Sequence, residues 1–171
     1  MKKYLTYTND EILETVKANG YYLRYVKNQT EEICLAAVKE NGHALRHVKD
    51  QTEEICLEAV RKYGSSLQYV KDQTEEICLE AVKEDGNALM YVKNQTEEIC
   101  LEATREKGFA LSYVKNQTAP VCLAAVKQDS HALRYVEKYY QSVAGLVIDE
   151  DYLALDEREE ITGNGVVYIK K

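Results

Sequence analysis

The chain has 171 residues and a formal net charge of −7, and most of that charge lies near the C-terminus. Residues 149–160 (DEDYLALDEREE) hold seven acids and one Arg, which leaves the rest of the chain at −1 and excludes a uniformly acidic mimic of DNA. The longest apolar runs, of the type ICLAAV, are too short to cross a bilayer. The segment MKKYLTYTND turns polar before a signal sequence could form. We therefore predict a soluble protein of the cytoplasm with no membrane segment.

A tandem repeat runs through most of the chain. The cysteines recur every 22 residues, and the block QTEEICLEAV at Gln51 is preceded by QTEEICLAAV at Gln29. Self-similarity at a fixed period predicts a solenoid whose units bury their apolar faces against each other. We predict an all-α solenoid of helix-turn-helix units over residues 1–138, followed by a different segment, 139–171. The predicted repeats are 7–28, 29–50, 51–72, 73–94, 95–116 and 117–138.

Each repeat opens with a predicted helix of about twelve residues. Thr30 followed by two Glu residues is typical of a helix start, and Thr8 with Glu11 predicts a capping box in the first repeat. Pro120 suits the first turn of the last repeat's helix. The run 33–38 is apolar around so much of the helix that it should be packed on both sides. We expect Gly42 and its equivalents to end these helices in a left-handed conformation.

A second, shorter helix is predicted at about 43–50. Ala44, Leu45 and Val48 would form its buried edge. Neither helix is long enough to be stable alone, so packing between repeats must stabilise both.

The cysteines are predicted to be buried and reduced. Equivalent residues on stacked helices lie roughly 8–10 Å apart, whereas a disulfide needs Cα atoms within about 7 Å. The chain also lacks the paired Cys and His spacings of a zinc site. Each Cys lies in an apolar run, where a thiol behaves as a small hydrophobic group. The cysteines are Cys34, Cys56, Cys78, Cys100 and Cys122.

After Lys138 the repeat pattern stops. Residues 139–148 are predicted to extend a helix and cover the end of the stack, through Val143, Leu146, Val147 and Ile148. The closing segment ITGNGVVYIKK alternates around a Gly-Asn-Gly turn, which suggests a small β-hairpin. The β-prone edge of that hairpin could also join two chains into a homo-oligomer.

The repeat unit TEEICLEAVKEDGNALMYVK resembles a short tandem α-helical repeat family of unknown function. The resemblance rests on LEAVK, the Gly that follows it and the Ala-Leu-x-Tyr-Val that closes each unit, and it covers about 7–138. The family is seen in bacterial, phage and giant-virus proteins, and the resemblance implies an α-solenoid and a viral or mobile-element context. It implies no catalytic residues.

Comparison of the repeats separates scaffold from variable surface. The positions of Leu45 and Val48 never change, whereas the position after the Gly and the one three residues later vary from repeat to repeat. Beside them runs a column that holds Tyr in most repeats, which could either bind a partner or pack on the next repeat. The predicted partner-binding residues are Tyr21, Arg24, Tyr25, His43, Arg46, His47, Gln68, Tyr69, Met90, Tyr91, Phe109, Tyr113, His131, Arg134 and Tyr135.

A column of lysines, from Lys27 to Lys115, is predicted to complement the negative ends of the second helices and to pair with Glu residues of the next unit. Together with Arg and Tyr, these lysines could alternatively form a groove for single-stranded nucleic acid. The nearby Glu residues weigh against that alternative.

We expect no enzymatic activity, no cofactor and no metal. His43 and His47 could share an ion at i, i+4 spacing, but nothing nearby completes a ligand set. The sequence therefore favours a protein-binding repeat module, with single-strand binding as the alternative. A viral or phage inhibitor that sequesters a host factor would suit the resemblance, in which case the host cytoplasm is the expected location.

Overall fold

A computed structural model describes residues 8–136, 159–161 and 167–169. Six units follow one another in residues 8–136, each an α-helix followed by a 3-10 helix. The α-helices are α1 Asn9–Ala18, α2 Glu31–Glu40, α3 Glu53–Lys62, α4 Glu75–Glu84, α5 Glu97–Glu106 and α6 Ala119–Gln128. The 3-10 helices are η1 Gly20–Tyr25, η2 Gly42–His47, η3 Gly64–Tyr69, η4 Gly86–Tyr91, η5 Gly108–Tyr113 and η6 Ser130–Tyr135.

The units stack in two layers, which confirms the predicted repeat solenoid. Each α-helix packs on the α-helix of the next unit, and each 3-10 helix packs on the next 3-10 helix. Each α-helix also contacts the 3-10 helix of the preceding unit, so the core lies between the layers and runs the length of the stack. In a central unit Ile77, Cys78, Ala81, Val82 and Leu89 are all buried.

The α-helices begin as predicted. Thr30 accepts a hydrogen bond of 3.3 Å from the backbone N–H of Ile33, and Thr8 with Glu11 forms the capping box. The caps of α3, α4 and α5 also join two units: the hydroxyl of Thr52, for example, donates to the carboxylate of Glu31, one unit earlier, at 3.1 Å. A residue that caps its own helix therefore also fixes the position of the preceding one.

The prediction of a second α-helix over 43–50 was wrong in type and length. The segment is a 3-10 helix that ends at His47, with Val48 extended and its N–H bonded to the carbonyl of Leu45 at 3.0 Å. Ala44, Leu45 and Val48 are buried as expected. From the second unit onward, a glutamine side chain from outside the 3-10 helix binds its last carbonyl, as described below.

The expectation of left-handed glycines was also wrong. The first helix ends instead at an extended residue, Asn41, with φ −143°, and Gly42 begins the 3-10 helix. The glycines are needed for close approach: a Cβ at Gly108 would lie 2.6 Å from the carbonyl oxygen of Ala125 in the next unit. Real Cβ atoms do not come so near an oxygen, so a side chain there would push two units apart.

Two short strands lie near the C-terminus. Strand β1 (Glu159–Ile161) pairs antiparallel with β2 (Val167–Ile169), and Glu160 lies opposite Tyr168. The Gly-Asn-Gly turn of the predicted hairpin lies outside the described residues, as do the predicted helix 139–148 and most of the acidic segment.

Candidate functional site

The variable residues lie on the exposed side of the six 3-10 helices, which we call the 3-10 face. Side chains at i and i+3 eclipse each other in a 3-10 helix, so the two variable columns stand in register. Backbone contacts reflect this register: Gln68 donates to the carbonyl of Ser65 at 2.9 Å, and Arg134 donates to that of His131 at 3.1 Å. The 3-10 geometry thus brings the two columns into one strip.

Rings cross from one unit to the next along this strip. Tyr21 meets His47 edge-on with ring centroids 6.4 Å apart, and Phe109 meets Tyr135 in the same way at 5.2 Å. In these contacts and in that of His43 with Tyr69, a member of the Tyr25 column meets the side chain that follows the Gly of the preceding unit. Four members of that column are half-buried and pack against the core: Tyr69, Tyr91, Tyr113 and Tyr135. Packing on a neighbouring repeat is therefore one role of these tyrosines, and partner binding by them stays a prediction.

Arginines lie over tyrosine rings in the first units. The guanidinium of Arg24 lies 5.0 Å from the ring centre of Tyr25, and that of Arg46 lies 5.6 Å from the ring centre of Tyr69 in the next unit. Within residues 8–136 neither arginine forms an ion pair. Burial lowers the pKa of His47 beside them, and the positive charges of Arg46 and Arg24 lower it further. The cluster therefore presents cations and rings without a carboxylate partner.

The two other predicted histidines have local partners. The Nε2 atom of His43 lies 2.9 Å from the hydroxyl of Ser65, and its ring packs against Tyr69 with centroids 5.8 Å apart. His131 Nδ1 lies 3.1 Å from the carboxylate of Asp129. The part of the chain that the structure describes contains no group of three His, Cys, Asp or Glu side chains placed to hold a metal.

Exposed apolar side chains concentrate on this side of the molecule. Among the described residues, the large hydrophobic side chains that are exposed all lie in a 3-10 helix or immediately before one. They are Tyr21, Tyr22, Tyr25, Tyr63, Met90 and Phe109. Tyr25 is the most open, at 69% exposure. The α-helical face has no such group within residues 8–136.

The hydrogen-bond partners of the lysine column differ from those that the sequence predicts. Instead of pairing with Glu residues of the next unit, the ammonium groups from Lys49 to Lys115 donate to a backbone carbonyl one unit earlier. Lys71 bonds to the carbonyl of Lys49 at 2.6 Å, and Lys93 bonds to that of Lys71 at 2.7 Å. These carbonyls lie just past the ends of the 3-10 helices and need donors. The prediction that the lysines serve the negative helix ends fits this geometry, whereas the proposed Glu pairing was wrong.

A glutamine column, which the sequence analysis did not single out, holds neighbouring units together. The amide of Gln73 donates to the carbonyl of Tyr91 at 3.0 Å and to that of Leu67 at 3.3 Å. Its oxygen accepts from the backbone N–H of Lys93 at 3.0 Å and, weakly, from the thiol of Cys78 at 3.8 Å. Gln29, Gln51 and Gln95 make the same set of bonds. The signal was available, since Gln precedes the capping Thr in every unit from the second onward.

The cysteines lie in the core as predicted, free and buried. Burial raises the pKa of the Cys56 thiol to about 11, and the carboxylates of Asp72 and Glu53 raise it further. Burial raises the pKa of Cys34, Cys78 and Cys100 in the same direction. Neutral, inaccessible thiols are poor nucleophiles.

The α-helical face neutralises its own charge. Arg61 pairs with Glu80 of the next unit at 2.8 Å, and Lys39 pairs with Glu58 at 3.7 Å. The hydrogen bond from Arg61 lowers the pKa of Glu80. The two faces therefore differ: the α-helical face is internally paired, and the first units of the 3-10 face carry apolar groups and arginines that form no ion pair within residues 8–136.

No helix among the described residues combines the length and apolar character needed to span a membrane. A family described as "Domain of unknown function (DUF4116)" matches the chain in four overlapping copies, at residues 10–51, 30–75, 52–95 and 74–117. No curated protein matches the chain, and no solved structure matches it.

Proposed function

The chain belongs to the DUF4116 family, and from that premise we propose that it is a non-enzymatic repeat module that binds another protein through its 3-10 face. The placement of the exposed aromatic and Met side chains carries this proposal, because in residues 8–136 all of them lie in a 3-10 helix or immediately before one. Tyr, Phe, Met and Arg are the residue types enriched in protein interfaces. Exposed apolar groups that cluster on one surface mark interaction sites, whereas apolar groups scattered singly over a surface are normal.

The scaffold supports the same proposal. Glutamine, lysine and threonine side chains fix each unit to its neighbour, and the variable columns carry none of these repeated bonds. A solenoid of this kind can change its surface residues while its backbone stays in place. The resemblance to repeats of bacterial, phage and giant-virus proteins extends the proposal: the chain would sequester a host factor in the host cytoplasm.

Single-stranded nucleic acid is the second candidate partner. It is favoured by Arg24 and Tyr25, since an exposed ring beside a cation is a surface on which a base can stack. The lysine column weighs against it, because Lys49, Lys71, Lys93 and Lys115 already donate to backbone carbonyls. Phosphates would have to compete with those bonds.

Affinity capture from extract of the native host tests the proposal. The bait is the full chain, and the matched variant is Tyr25→Ser with Met90→Ser, which removes two exposed apolar groups of the 3-10 face. A control bait, Lys39→Ser with Lys83→Ser, changes the α-helical face. A protein that the wild type and the control retain, that the 3-10 variant loses, and that forms a complex after purification supports the proposal. Nuclease-sensitive recovery alone would favour the second candidate, and retention by all three baits would contradict both.

A further inference from the structure

We infer that the first three units form the anchoring part of the 3-10 face and that they take an acidic peptide segment of the partner. The inference rests on the proposed function and specifies its chemistry. The basic-aromatic patch consists of Arg24, Arg46 and Lys62 with the rings Tyr21, Tyr25, His43, Tyr63 and Tyr69.

Charge separates this patch from the rest of the face. The residues just before the first three 3-10 helices are uncharged: Asn19, Asn41 and Tyr63. At the same place in the fourth and sixth units stand Asp85 and Asp129. Asp85 pairs with Lys107 at 3.8 Å, and Asp129 lies 3.1 Å from His131. Carboxylates thus lie on the face itself in the later units, where Lys107 pairs with one, whereas Arg24, Arg46 and Lys62 form no ion pair among the described residues.

A third cation adds to the patch at its edge. Lys62 occupies the position that holds Glu40 in the second unit and Glu84 in the fourth, and its ammonium lies 5.8 Å from the ring centre of Tyr63. Two acids border the patch: the carboxylate of Glu40 accepts the backbone N–H of Gly20 at 2.5 Å, and that of Glu84 accepts the backbone N–H of Gly64. Both carboxylates are therefore directed at the backbone and not at Arg24 or Arg46.

The arginines are held in place without being neutralised. Each lies over a tyrosine ring at 5.0 or 5.6 Å, which orders the guanidinium plane and leaves its N–H groups to a ligand. A guanidinium in a fixed plane binds a carboxylate through two parallel hydrogen bonds. Tyr25 and Tyr22, at 69% and 48% exposure, offer apolar area beside them. The chemistry that fits is a short peptide with Asp or Glu side chains next to an aromatic or aliphatic one.

The same observations favour a peptide over a nucleic acid. The patch has three cations, and the neighbouring Lys49 and Lys71 donate to carbonyls at 2.5 and 2.6 Å. Three cations are enough to pair with the few carboxylates of a short acidic peptide. The affinity of non-specific nucleic-acid binding, in contrast, rises with the number of phosphates that the protein neutralises.

Fluorescence anisotropy with defined probes tests the inference. The probes are a fluorescein-labelled peptide EDEYEDEYED, a KSKYKSKYKS peptide of the same length and a labelled ten-nucleotide oligothymidine. The proteins are the full chain, Arg24→Gln/Arg46→Gln, and Lys39→Gln/Arg61→Gln on the α-helical face. Both double variants lose two positive charges, so general electrostatic attraction changes equally. Thermal melts by circular dichroism check that all three proteins fold.

The acidic peptide should bind the wild type. Its affinity for Arg24→Gln/Arg46→Gln should be at least tenfold lower, and its affinity for Lys39→Gln/Arg61→Gln should stay within about threefold of the wild-type value. Equal losses in both variants, or binding of the lysine peptide as tight as that of the acidic one, would overturn the inference. Tighter binding of oligothymidine than of the acidic peptide would assign the patch to nucleic acid. A dimer, seen by sedimentation and dependent on Arg24 and Arg46, would assign the patch to a second copy of the chain. Either result would overturn the inference.

The test also separates this inference from the proposed function. If the acidic peptide fails to bind while the protein captured from host extract is lost with Tyr25→Ser/Met90→Ser, the 3-10 face remains the binding surface and only the acidic chemistry is wrong.

Discussion

The side-chain amide of Gln73 donates a hydrogen bond of 3.0 Å to the backbone carbonyl of Tyr91, eighteen residues further along the chain. The same amide reaches the carbonyl of Leu67 in the preceding unit at 3.3 Å. One side chain thereby joins the ends of two consecutive 3-10 helices. The bond satisfies the last carbonyl of a 3-10 helix, which has no partner within that helix.

Replacement of Gln73 by Ala should destabilise the fold by about 2–4 kcal/mol. The substitution leaves the part-buried carbonyls of Tyr91 and Leu67 without this donor, and an unpaired buried polar group costs about 1–3 kcal/mol. The matched control is Gln68→Ala, because Gln68 is exposed and should change stability by no more than about 0.5 kcal/mol. Urea unfolding of both variants measures the difference. Similar losses in the two variants would show that the glutamine column does not hold the units.

The close packing of neighbouring units should require a residue without a side chain at Gly86. A Cβ there would lie 2.5 Å from the carbonyl oxygen of Ala103 and 2.9 Å from the Cβ of Lys107, so Gly86→Ala should cost about 1–3 kcal/mol through overpacking. Met90→Ala, which lies exposed on the same 3-10 helix, serves as the control and should be nearly neutral. Thermal melts compare them. A stabilised Gly86→Ala protein would mean that the units are not packed as closely as described.

The architecture could be predicted from the sequence because the 22-residue period and the apolar run of each repeat dictate stacked helices. The kind of second helix could not be predicted, since Ala44, Leu45 and Val48 fit an α-helix and a 3-10 helix equally well. In the structure Gln29 binds His47 and Lys49 at the end of this helix, at 2.9 and 3.0 Å, and such contacts depend on how the units stack. The left-handed conformation predicted for the glycines was wrong for a similar reason. Gly42 is required by the close approach of a neighbouring unit and not by its own backbone angles.

The candidate site was predictable in position and not in its internal contacts. Variation between repeats identifies the columns of Tyr21 and Arg24 as surface. Which rings meet across units depends on the offset between stacked helices, so the sequence does not predict the contact of Arg46 with Tyr69. The carbonyl contacts of the lysines likewise follow from backbone geometry, and charge alone suggested Glu partners instead.

The core should be far more sensitive to truncation than the surface strip. Leu89 is fully buried in a central unit, and Leu89→Ala should cost about 2–5 kcal/mol. Arg46→Ala should cost no more than about 1 kcal/mol, because it removes one exposed cation–ring contact. Chemical unfolding measures both values. If the two variants were equally unstable, the division into buried and exposed positions would be wrong.

Stability should fall in alkaline solution because of the buried thiols. The folded-state pKa of Cys56 is about 11, above its ordinary value of 9.0, so folding favours the protonated thiol. The protonated thiol's contribution to the free energy of unfolding is complete below pH 9. It is lost as the pH rises toward 11, since the thiol of the unfolded chain loses its proton at a lower pH than that of the folded chain. Urea unfolding between pH 8 and 10.5 should show this loss, and Cys56→Ala should show a shallower one. An unchanged slope in Cys56→Ala would mean that the thiol is as accessible as in the unfolded chain.

Site-directed photo-crosslinking tests most directly whether a partner binds on the 3-10 face. The native cysteines are buried, so a new surface cysteine can be labelled selectively with a benzophenone maleimide. Gln68→Cys places the label on the 3-10 face, and Lys83→Cys places it on the α-helical face of the adjacent unit; both native side chains are exposed. With the protein partner identified by affinity capture, the account predicts an efficient cross-link from position 68 and little or none from position 83. A cross-link from position 83 and none from position 68 would contradict it.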